Sequence, residues 1–291
     1  MIPYVCGWGA FAEVPVREQE SRWEAHNVVR VLVNGACGRM GQAVLAAVLA
    51  DEELELVGAV DIKGGMDAGE LIGKEKSGVV VEEDLVAALA DSKPDVMVDF
   101  TRPDVVFGNV CTALKAKVSP VVGTTGLSEE QKESIRKLSE EYHTPAFIAP
   151  NFAIGAVLMM LMSRQVAKYM PQVEIIELHH DKKLDAPSGT AIQTAQMIAE
   201  VRESMKQGHP EEKEKLAGAR GAEYDGMHIH SVRLPGYVAH QEVIFGGLGQ
   251  TLTIRHDSMN RESFMPGVVL ACKRVGGLKG LVVGLDKLLD G

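Results

Sequence analysis

The chain has 291 residues, of which 46% are hydrophobic and 24% charged, so it can bury a full core and we expect two domains. Its net charge of −10 argues against binding to nucleic acid or to an anionic membrane surface, and no apolar run reaches the ~20 residues that span a bilayer. The four cysteines are far apart and form no CxxC pair, which predicts neither a metal site nor a disulfide framework and fits a reducing cytoplasm.

Residues 1–27 differ from the rest of the chain. They carry both tryptophans, Trp8 and Trp23, and show no regular pattern of apolar residues. They also lack the basic start and the continuous apolar core of a signal peptide. We interpret them as an N-terminal extension that precedes the first domain.

A glycine-rich turn follows the first predicted strand. The segment VVRVLVNG, from Val28, predicts a buried strand, and GACGRMG places Gly35, Gly38 and Gly41 ahead of the helix QAVLAAVLA. A second strand, LELVGAV, ends at Asp61, which lies 20 residues beyond the last of these glycines. This strand–turn–helix–strand order with a distal acid is typical of a dinucleotide-binding fingerprint.

The choice of dinucleotide stays open at this turn. Asp61 suits the free ribose hydroxyls of NAD, whereas Arg39 and Lys63 are cations that suit the 2′-phosphate of NADP. NADH, NADPH or both therefore fit the sequence. The alternative is a Rossmann-type domain that binds no dinucleotide, and the complete spacing makes this alternative the weaker one.

Strands and helices alternate up to Phe152, which predicts a parallel sheet. Three of the strands end in the motifs FTRP, GTTG and APNF, and the carboxyl ends of parallel strands meet along one edge, where ligands bind. Each motif taken alone is also an ordinary turn. Together they predict cofactor contacts, including Thr124, Pro150 and Asn151. One predicted helix, SEEQKESIRKLSEEYH, begins with a capping box formed by Ser128 and Gln131.

The stretch ELHHDKKLDAPSGTA, Glu177 to Ala191, is a strand-to-helix turn. The apolar segment before it predicts a strand that runs into the histidine pair, and TAIQTAQMIAEV after it predicts a helix. Pro187 and Gly189 shape the turn, and either Ser188 or Thr190 can cap the helix.

This turn has the composition of an anion site. A helix start offers free N–H groups and a partial positive charge, and His179, His180, Lys182 and Lys183 stand just upstream. The combination predicts a site that binds carboxylates and donates a proton. The alternative is a solvated loop before a capped helix, which is less consistent with so many cationic residues in an acidic chain.

Beyond the turn, residues 207–226 are polar and predict a loop. The segments MHIHSVRLPG, AHQEVIFGG and QTLTIRHDS alternate as strands and predict an antiparallel or mixed sheet. Arg233 is a candidate substrate contact, and MNRESFMPGVVLACKRV and LVVGLDKLLDG each predict a helix. We assign no catalytic role to the histidines of these strands, which are His228, His230, His240 and His256.

The chain resembles the 4-hydroxy-tetrahydrodipicolinate reductase family, also called dihydrodipicolinate reductase, of bacterial and plant lysine biosynthesis. The matching motifs are NGACGRMGQ, DFTRP, GTTG, APNF, ELHHDKKLDAPSGTA and HDSMNRESFMPG, and the fifth is highly specific. The resemblance implies NAD(P)H-dependent reduction of 4-hydroxy-tetrahydrodipicolinate to tetrahydrodipicolinate. It also implies an α/β fold with a Rossmann-type domain, residues 28–151 completed by 262–291. Residues 152–261 would form a second α+β domain with a mixed sheet, which binds the dicarboxylate substrate and builds a homotetramer.

The resemblance assigns roles to individual residues. His179 and Lys183 match the proton donors of the family, and four residues match its carboxylate-binding positions: His180, Ser188, Gly189 and Thr190. The cofactor positions implied by the resemblance and the fingerprint are Gly35, Gly38, Arg39, Met40, Gly41, Asp61, Lys63, Phe100, Arg102, Gly123, Thr125, Ala149 and Phe152.

Two other functions are compatible with parts of the sequence. Another two-domain dehydrogenase, for amino acids or sugars, would share the glycine turn and Asp61 but would not need PSGT at a helix start. A non-enzymatic NAD(P)-sensing regulator would lack a proton donor, so the presence of His179 and Lys183 argues against it.

Overall fold

The computed structural model describes residues 28–289, so the predicted extension, residues 1–27, lies outside the described residues. The first of two sheets is parallel and has the strand order β12-β6-β5-β4-β1-β2-β3. Its strands are β1 (Val29–Asn34), β2 (Leu54–Val60), β3 (Val81–Glu82), β4 (Val96–Asp99), β5 (Ser119–Val122), β6 (Ala146–Ile148) and β12 (Leu281–Val283).

Three of the helices that alternate with these strands begin at a capping side chain, which is Asp67, Asp84 or Ser128. Asp84 accepts hydrogen bonds from two N–H groups of its helix. The capping box between Ser128 and Gln131 is confirmed, since each side chain bonds the backbone of the other residue. These helices are α1 (Arg39–Val48), α2 (Ala68–Leu71), α3 (Leu85–Ser92), α4 (Val106–Lys115) and α5 (Glu129–Glu141).

The second sheet is mixed, as predicted, with the order β11-β10-β7-β9-β8. The pair β7–β9 is parallel and the other neighbours are antiparallel. Its strands are β7 (Gln172–His179), β8 (Ala222–Tyr224), β9 (Met227–Arg233), β10 (Ala239–Gly247) and β11 (Gln250–Ser258). Two helices, α6 (Ile154–Ala167) and α7 (Gly189–Ala199), pack together on one face of this sheet.

The end of the chain corrects one predicted helix. The segment LVVGLDKLLDG does not form a continuous helix, because Leu281–Val283 is strand β12, parallel to β6, and the helix among its described residues is Asp286–Leu289 (α9). The apolar, β-branched LVV segment completes the edge of the first sheet, and this tertiary pairing outweighs local helical preference. Helix α8 (Met265–Arg274), just before it, packs against α1.

One continuous apolar core joins the two sheets. Val31 and Phe147 of the first sheet belong to the same buried cluster as Met159 of α6 and Ile175 of β7. The two sheets are therefore held together by one core. Within residues 28–289, no helix is long and apolar enough to cross a bilayer.

Candidate active site

The glycine turn after β1 forms a cradle that side chains would fill. Gly35 has a φ of +84°, and a Cβ there would lie 2.6 Å from the carbonyl oxygen of Phe100. A Cβ on Gly41 would lie 2.0 Å from the Gly35 oxygen. Helix α1 follows Gly38 and has no side-chain cap. An uncapped helix start under a bare glycine turn fits the pyrophosphate of a dinucleotide.

Asp61 lies at the end of β2, beside this turn. Its Oδ2 accepts a hydrogen bond of 2.9 Å from the backbone N–H of Cys37, which ties the two loops together. Arg39 and Lys63 are exposed, and Met40 is half-buried in the first turn of α1. The predicted ribose-binding acid and both predicted cations therefore belong to the same pair of neighbouring loops.

The FTRP, GTTG and APNF motifs meet at one edge of the sheet, because β4, β5 and β6 are neighbours. A Cβ on Gly123 would lie 2.0 Å from Cε1 of Phe100, so this ring occupies the space that a side chain would need. The rings of Phe100 and Phe152 lie 5.8 Å apart. Thr125 follows as an exposed residue. This edge of the sheet is therefore closely packed, with aromatic rings against small residues such as Gly123.

Two predicted cofactor side chains are engaged within this edge. The buried Thr124 hydroxyl donates to Oδ1 of Asp99 at 2.7 Å and accepts from the N–H of Thr101 at 2.7 Å. Arg102 forms an ion pair with Asp104 at 2.9 Å. The structure places both residues at the predicted edge, but their side chains already have partners in the protein.

The loop after β6 leads from this edge to the second half of the chain. Ala149, Pro150 and Asn151 follow the strand directly. Oδ1 of Asn151 accepts from the N–H of Ala153 at 2.9 Å, and Nδ2 lies 3.5 Å from the hydroxyl of Thr190. Asn151 therefore stands between the predicted cofactor residues and the predicted substrate residues.

A pocket of about 210 Å³ opens at this junction. It is bordered by Pro150 and Asn151 from the cofactor edge, and by His179, Ser188 and Thr190 from the predicted substrate turn. The pocket is the place where the two predicted sites come together. It is also bordered by residues of the second sheet and the following turn to which we assigned no role, including Ala239, His240, Gln241, His256, Ser258 and Phe264.

These additional lining residues follow from strand pairing. Ala239 pairs with both His179 and Ser258, so the ends of β10 and β11 lie beside the end of β7. The sequence shows the strands but not this register. A larger cavity of about 540 Å³ opens on the opposite face of the sheet, beside Glu174 and His230, and no predicted site residue borders it.

Glu177 is fully buried, and its carboxylate accepts hydrogen bonds from side chains of β7 and β9 and from the backbone of the turn before α7. Oε2 lies 2.5 Å from Nδ1 of His179 and 2.8 Å from Nη1 of Arg233. Oε1 lies 2.7 Å from Nη2 of Arg233 and 3.1 Å from the N–H of Ser188. Burial alone would raise the pKa of Glu177, but the hydrogen bonds from His179 and Arg233 outweigh it and hold the pKa at about 2.

Lys183 does not border the pocket in this structure. Its Nζ lies 2.7 Å from Oδ1 of Asp185, and this hydrogen bond lowers the pKa of Asp185. His180 and Lys182 are exposed. The pocket lining therefore includes His179 but none of the other predicted cations of this loop, and the predicted catalytic lysine is bound to Asp185.

The start of helix α7, which follows this loop, offers backbone N–H groups that can bind an anion. Ser188 is the capping residue, since its hydroxyl accepts from the N–H of Ala191 at 3.2 Å. A Cβ on Gly189 would meet no atom within 4 Å, so packing alone does not require glycine there. Among residues 28–289, the N–H groups of Gly189 and Thr190 have no acceptor, which suits an anion.

Comparison with known proteins places this geometry in a family. Family profiles described as the N-terminus and the C-terminus of dihydrodipicolinate reductase match residues 29–152 and 155–289. A 4-hydroxy-tetrahydrodipicolinate reductase of Desulfitobacterium hafniense is 54% identical over 264 residues, covering 90% of this chain and 99% of the relative. One from Geobacillus kaustophilus is 55% identical over 263 residues, with 90% and 99% coverage.

Solved structures give the same result. A dipicolinate-bound dihydrodipicolinate reductase from Paenisporosarcina sp. TG-14 has a TM-score of 0.81 and 50% identity, and the match covers 89% of this chain and 99% of that one. An amine dehydrogenase from Mycobacterium smegmatis has a TM-score of 0.63 at 16% identity, over 89% and 95% of the two chains. This second likeness shows the fold alone.

Proposed function

The chain belongs to the dihydrodipicolinate reductase family, and on that premise we propose that it reduces 4-hydroxy-tetrahydrodipicolinate to tetrahydrodipicolinate in the diaminopimelate route to lysine. A hydride and a proton are added and water is lost. The observation that carries the proposal is the pocket, because it joins the cofactor edge at Asn151 to a proton donor, His179, and a helix start, Ser188 to Thr190.

Recognition of the substrate begins with its two carboxylates. The free N–H groups of Gly189 and Thr190 bind one carboxylate at the positive end of α7. Lys183 binds the other after leaving Asp185, so a substrate carboxylate replaces a protein carboxylate. His180, exposed beside the loop, adds a further donor. The dipicolinate bound to the Paenisporosarcina relative is a planar dicarboxylate of this chemical class.

Proton transfer is assigned to His179. Imidazole is the side chain that exchanges a proton near neutral pH, and this ring borders the pocket. The bound nicotinamide supplies the hydride. Lys183 lies in the loop that follows and assists by neutralising negative charge next to the reacting ring. Together these residues bind, orient and protonate the substrate.

The cofactor binds across the carboxyl edge of the first sheet. The turn from Gly35 to Gly41 binds the pyrophosphate, and Asp61 accepts from ribose hydroxyls, while Arg39 and Lys63 attract a 2′-phosphate. We infer that both NADH and NADPH are used. Residues 28–151 with 262–291 form the cofactor domain under this proposal, and residues 152–261 form the substrate domain.

We also propose a cytoplasmic homotetramer that forms through the outer face of the second sheet. This face carries half-buried apolar side chains at Ile176, Leu178, Val232 and Ile244. No helix within residues 28–289 covers this face, and uncovered apolar side chains on a sheet face favour association with another copy. Sedimentation of the purified protein at several concentrations tests this assembly.

The activity is tested with the aldol product of pyruvate and aspartate semialdehyde as substrate. We expect loss of absorbance from NADH and from NADPH, with competitive inhibition by pyridine-2,6-dicarboxylate. A protein that oxidises neither cofactor with this substrate, yet uses an amino acid or a sugar, would instead be a dehydrogenase of the other class.

A further inference from the structure

We propose that Glu177 is a positioning residue, which keeps one ring proton of His179 on Nδ1, so that the proton given to the substrate is the second one, which Nε2 carries in the charged ring. Nothing in the sequence motif assigns Glu177 a role of its own. Its kinetic consequence rests on the proposed function, whereas its effect on the ring is independent of the substrate.

The assignment of the proton follows from the partners of the carboxylate. Glu177 is ionised at neutral pH, so it cannot donate, and Nδ1 of His179 at 2.5 Å from Oε2 must carry the hydrogen. Among residues 28–289, Nε2 of this ring has no hydrogen-bond partner. Nε2, on the side of the ring away from Glu177, is therefore the nitrogen that can exchange a proton. His179 borders the pocket described above.

The same carboxylate also fixes the substrate turn. Its Oε1 accepts the N–H of Ser188, and Arg233, which binds both carboxylate oxygens, donates to the carbonyl oxygen of Asp185 at 2.8 Å. One buried ion pair thus holds the end of β7 and the two sides of the turn before α7. A change at Glu177 therefore affects both the proposed proton donor, His179, and the turn whose N–H groups bind the substrate carboxylate.

Other charged or titratable groups surround His179, and none replaces this contact. Arg233 of β9 is directed at Glu177, while Lys183 and Asp185 of the loop bind each other. His240 of β10 has its Nδ1 2.6 Å from Asp257, and His256 of β11 borders the same pocket. Within the described part of the chain, Glu177 is the group hydrogen-bonded to the His179 ring.

The first experiment measures the ring directly. In protein labelled with ¹⁵N-histidine, the His179 signals are identified by their loss in His179→Gln. We expect the neutral ring of the wild type to carry its proton on Nδ1, and Nε2 to take up the second proton as the pH falls. A neutral ring protonated on Nε2 in the wild type would overturn the proposal, whatever the enzyme reduces.

The second experiment compares two variants on the same strand. Glu177→Gln leaves a single acceptor oxygen for all the donors that meet this carboxylate, so we expect kcat to fall at least about 10-fold. We also expect the alkaline limb of the pH–kcat profile to move to lower pH, because the carboxylate no longer stabilises the charged imidazole. The dissociation constant of NADH should stay within about threefold.

Glu174→Gln is the matched control. It removes a carboxylate from a similar cluster, with Arg220 and His230, on the opposite face of β7. Its kcat should stay within about threefold of wild type. If Glu177→Gln does not fold, Glu177→Asp keeps the charge and should retain the wild-type pH profile at reduced kcat. An unmoved profile in a folded Glu177→Gln enzyme would contradict the proposal, while an inactive wild type with an Nδ1-protonated ring would contradict only the proposed reaction.

Discussion

Lys183 and Asp185 form an ion pair in which Nζ lies 2.7 Å from Oδ1, so the lysine predicted to meet the substrate is bound by a carboxylate of its own loop. The lysine side chain is 19% exposed and the aspartate side chain 64% exposed. Because the aspartate is open to solvent, the pair is weak, and a substrate carboxylate can replace the aspartate at little cost.

Replacing Asp185 by Asn should therefore strengthen inhibitor binding. An exposed pair of this kind is worth about 0–1 kcal/mol, so the inhibition constant of pyridine-2,6-dicarboxylate should fall by no more than about fivefold. Asp181→Asn, an exposed position of the same loop, is the control for net charge. Equal gains in both variants would point to a general charge effect rather than to release of Lys183.

Replacing Lys183 by Ala should weaken binding of the same inhibitor by about 1.5–3 kcal/mol, the usual range for a hydrogen bond to a charged group. Turnover should fall as well, and the fold should be retained, since the turn keeps its bonds to Glu177 and Arg233. Lys182→Ala is the control. A damaging Lys182 variant beside a silent Lys183 variant would show that the wrong lysine has been assigned.

Replacing His179 by Gln should lower kcat by about 10²–10⁴-fold, the typical contribution of general acid catalysis. Cofactor affinity should be nearly unchanged, because the histidine belongs to the predicted substrate turn and not to the predicted cofactor edge. His209→Gln, at an exposed position in the polar loop, serves as the control. Steady-state kinetics with titration of NADPH binding measure both effects, and a loss below about threefold would rule out His179 as the proton donor.

Replacing Lys63 by Ala should weaken NADPH binding more than NADH binding. The lysine is exposed next to Asp61, and a cation there favours the 2′-phosphate that Asp61 repels. Lys74→Ala, an exposed lysine elsewhere in the first domain, is the control. If the dissociation constants measured by calorimetry change equally for the two cofactors, Lys63 does not bind the 2′-phosphate.

Stability should depend on pH through Glu177. Its pKa in the folded protein, about 2, lies below the ordinary value of 4.5, so the folded state binds this proton less readily than the unfolded state. The stabilisation is complete above about pH 4.5 and is lost as the pH falls towards 2. Denaturant unfolding at pH 6, 4 and 3 should show a steeper loss for wild type than for Glu177→Gln. Parallel curves would contradict this linkage.

The strands, caps and glycine turn were open to prediction because their signals are local. The capping box at Ser128 needs four consecutive residues, and the fingerprint needs a turn between two apolar runs. The same holds for Ser188 as a helix cap. In each case, the residues that interact lie within a few positions of one another, so the sequence itself contains the contact.

The rest of the fold and of the site depends on contacts between residues that are distant in sequence. Arg233 reaches Glu177 across 56 positions, and the pocket histidines His240 and His256 are placed by the register of β10 and β11. The strand β12 was missed because a three-residue apolar run acquires its structure only from its neighbour β6. No local pattern specifies these pairings.

The position of β12 at the edge of the first sheet has a consequence for biosynthesis. A growing chain emerges from the ribosome with β1 to β6 first, followed by all five strands of the second sheet, and only then β12. Until that moment β6 exposes unpaired backbone groups along one side, which other chains can bind. The parallel sheet thus passes through an aggregation-prone stage that lasts as long as translation of the second sheet. Slow synthesis or high-level expression should therefore increase the fraction of chains lost to aggregation.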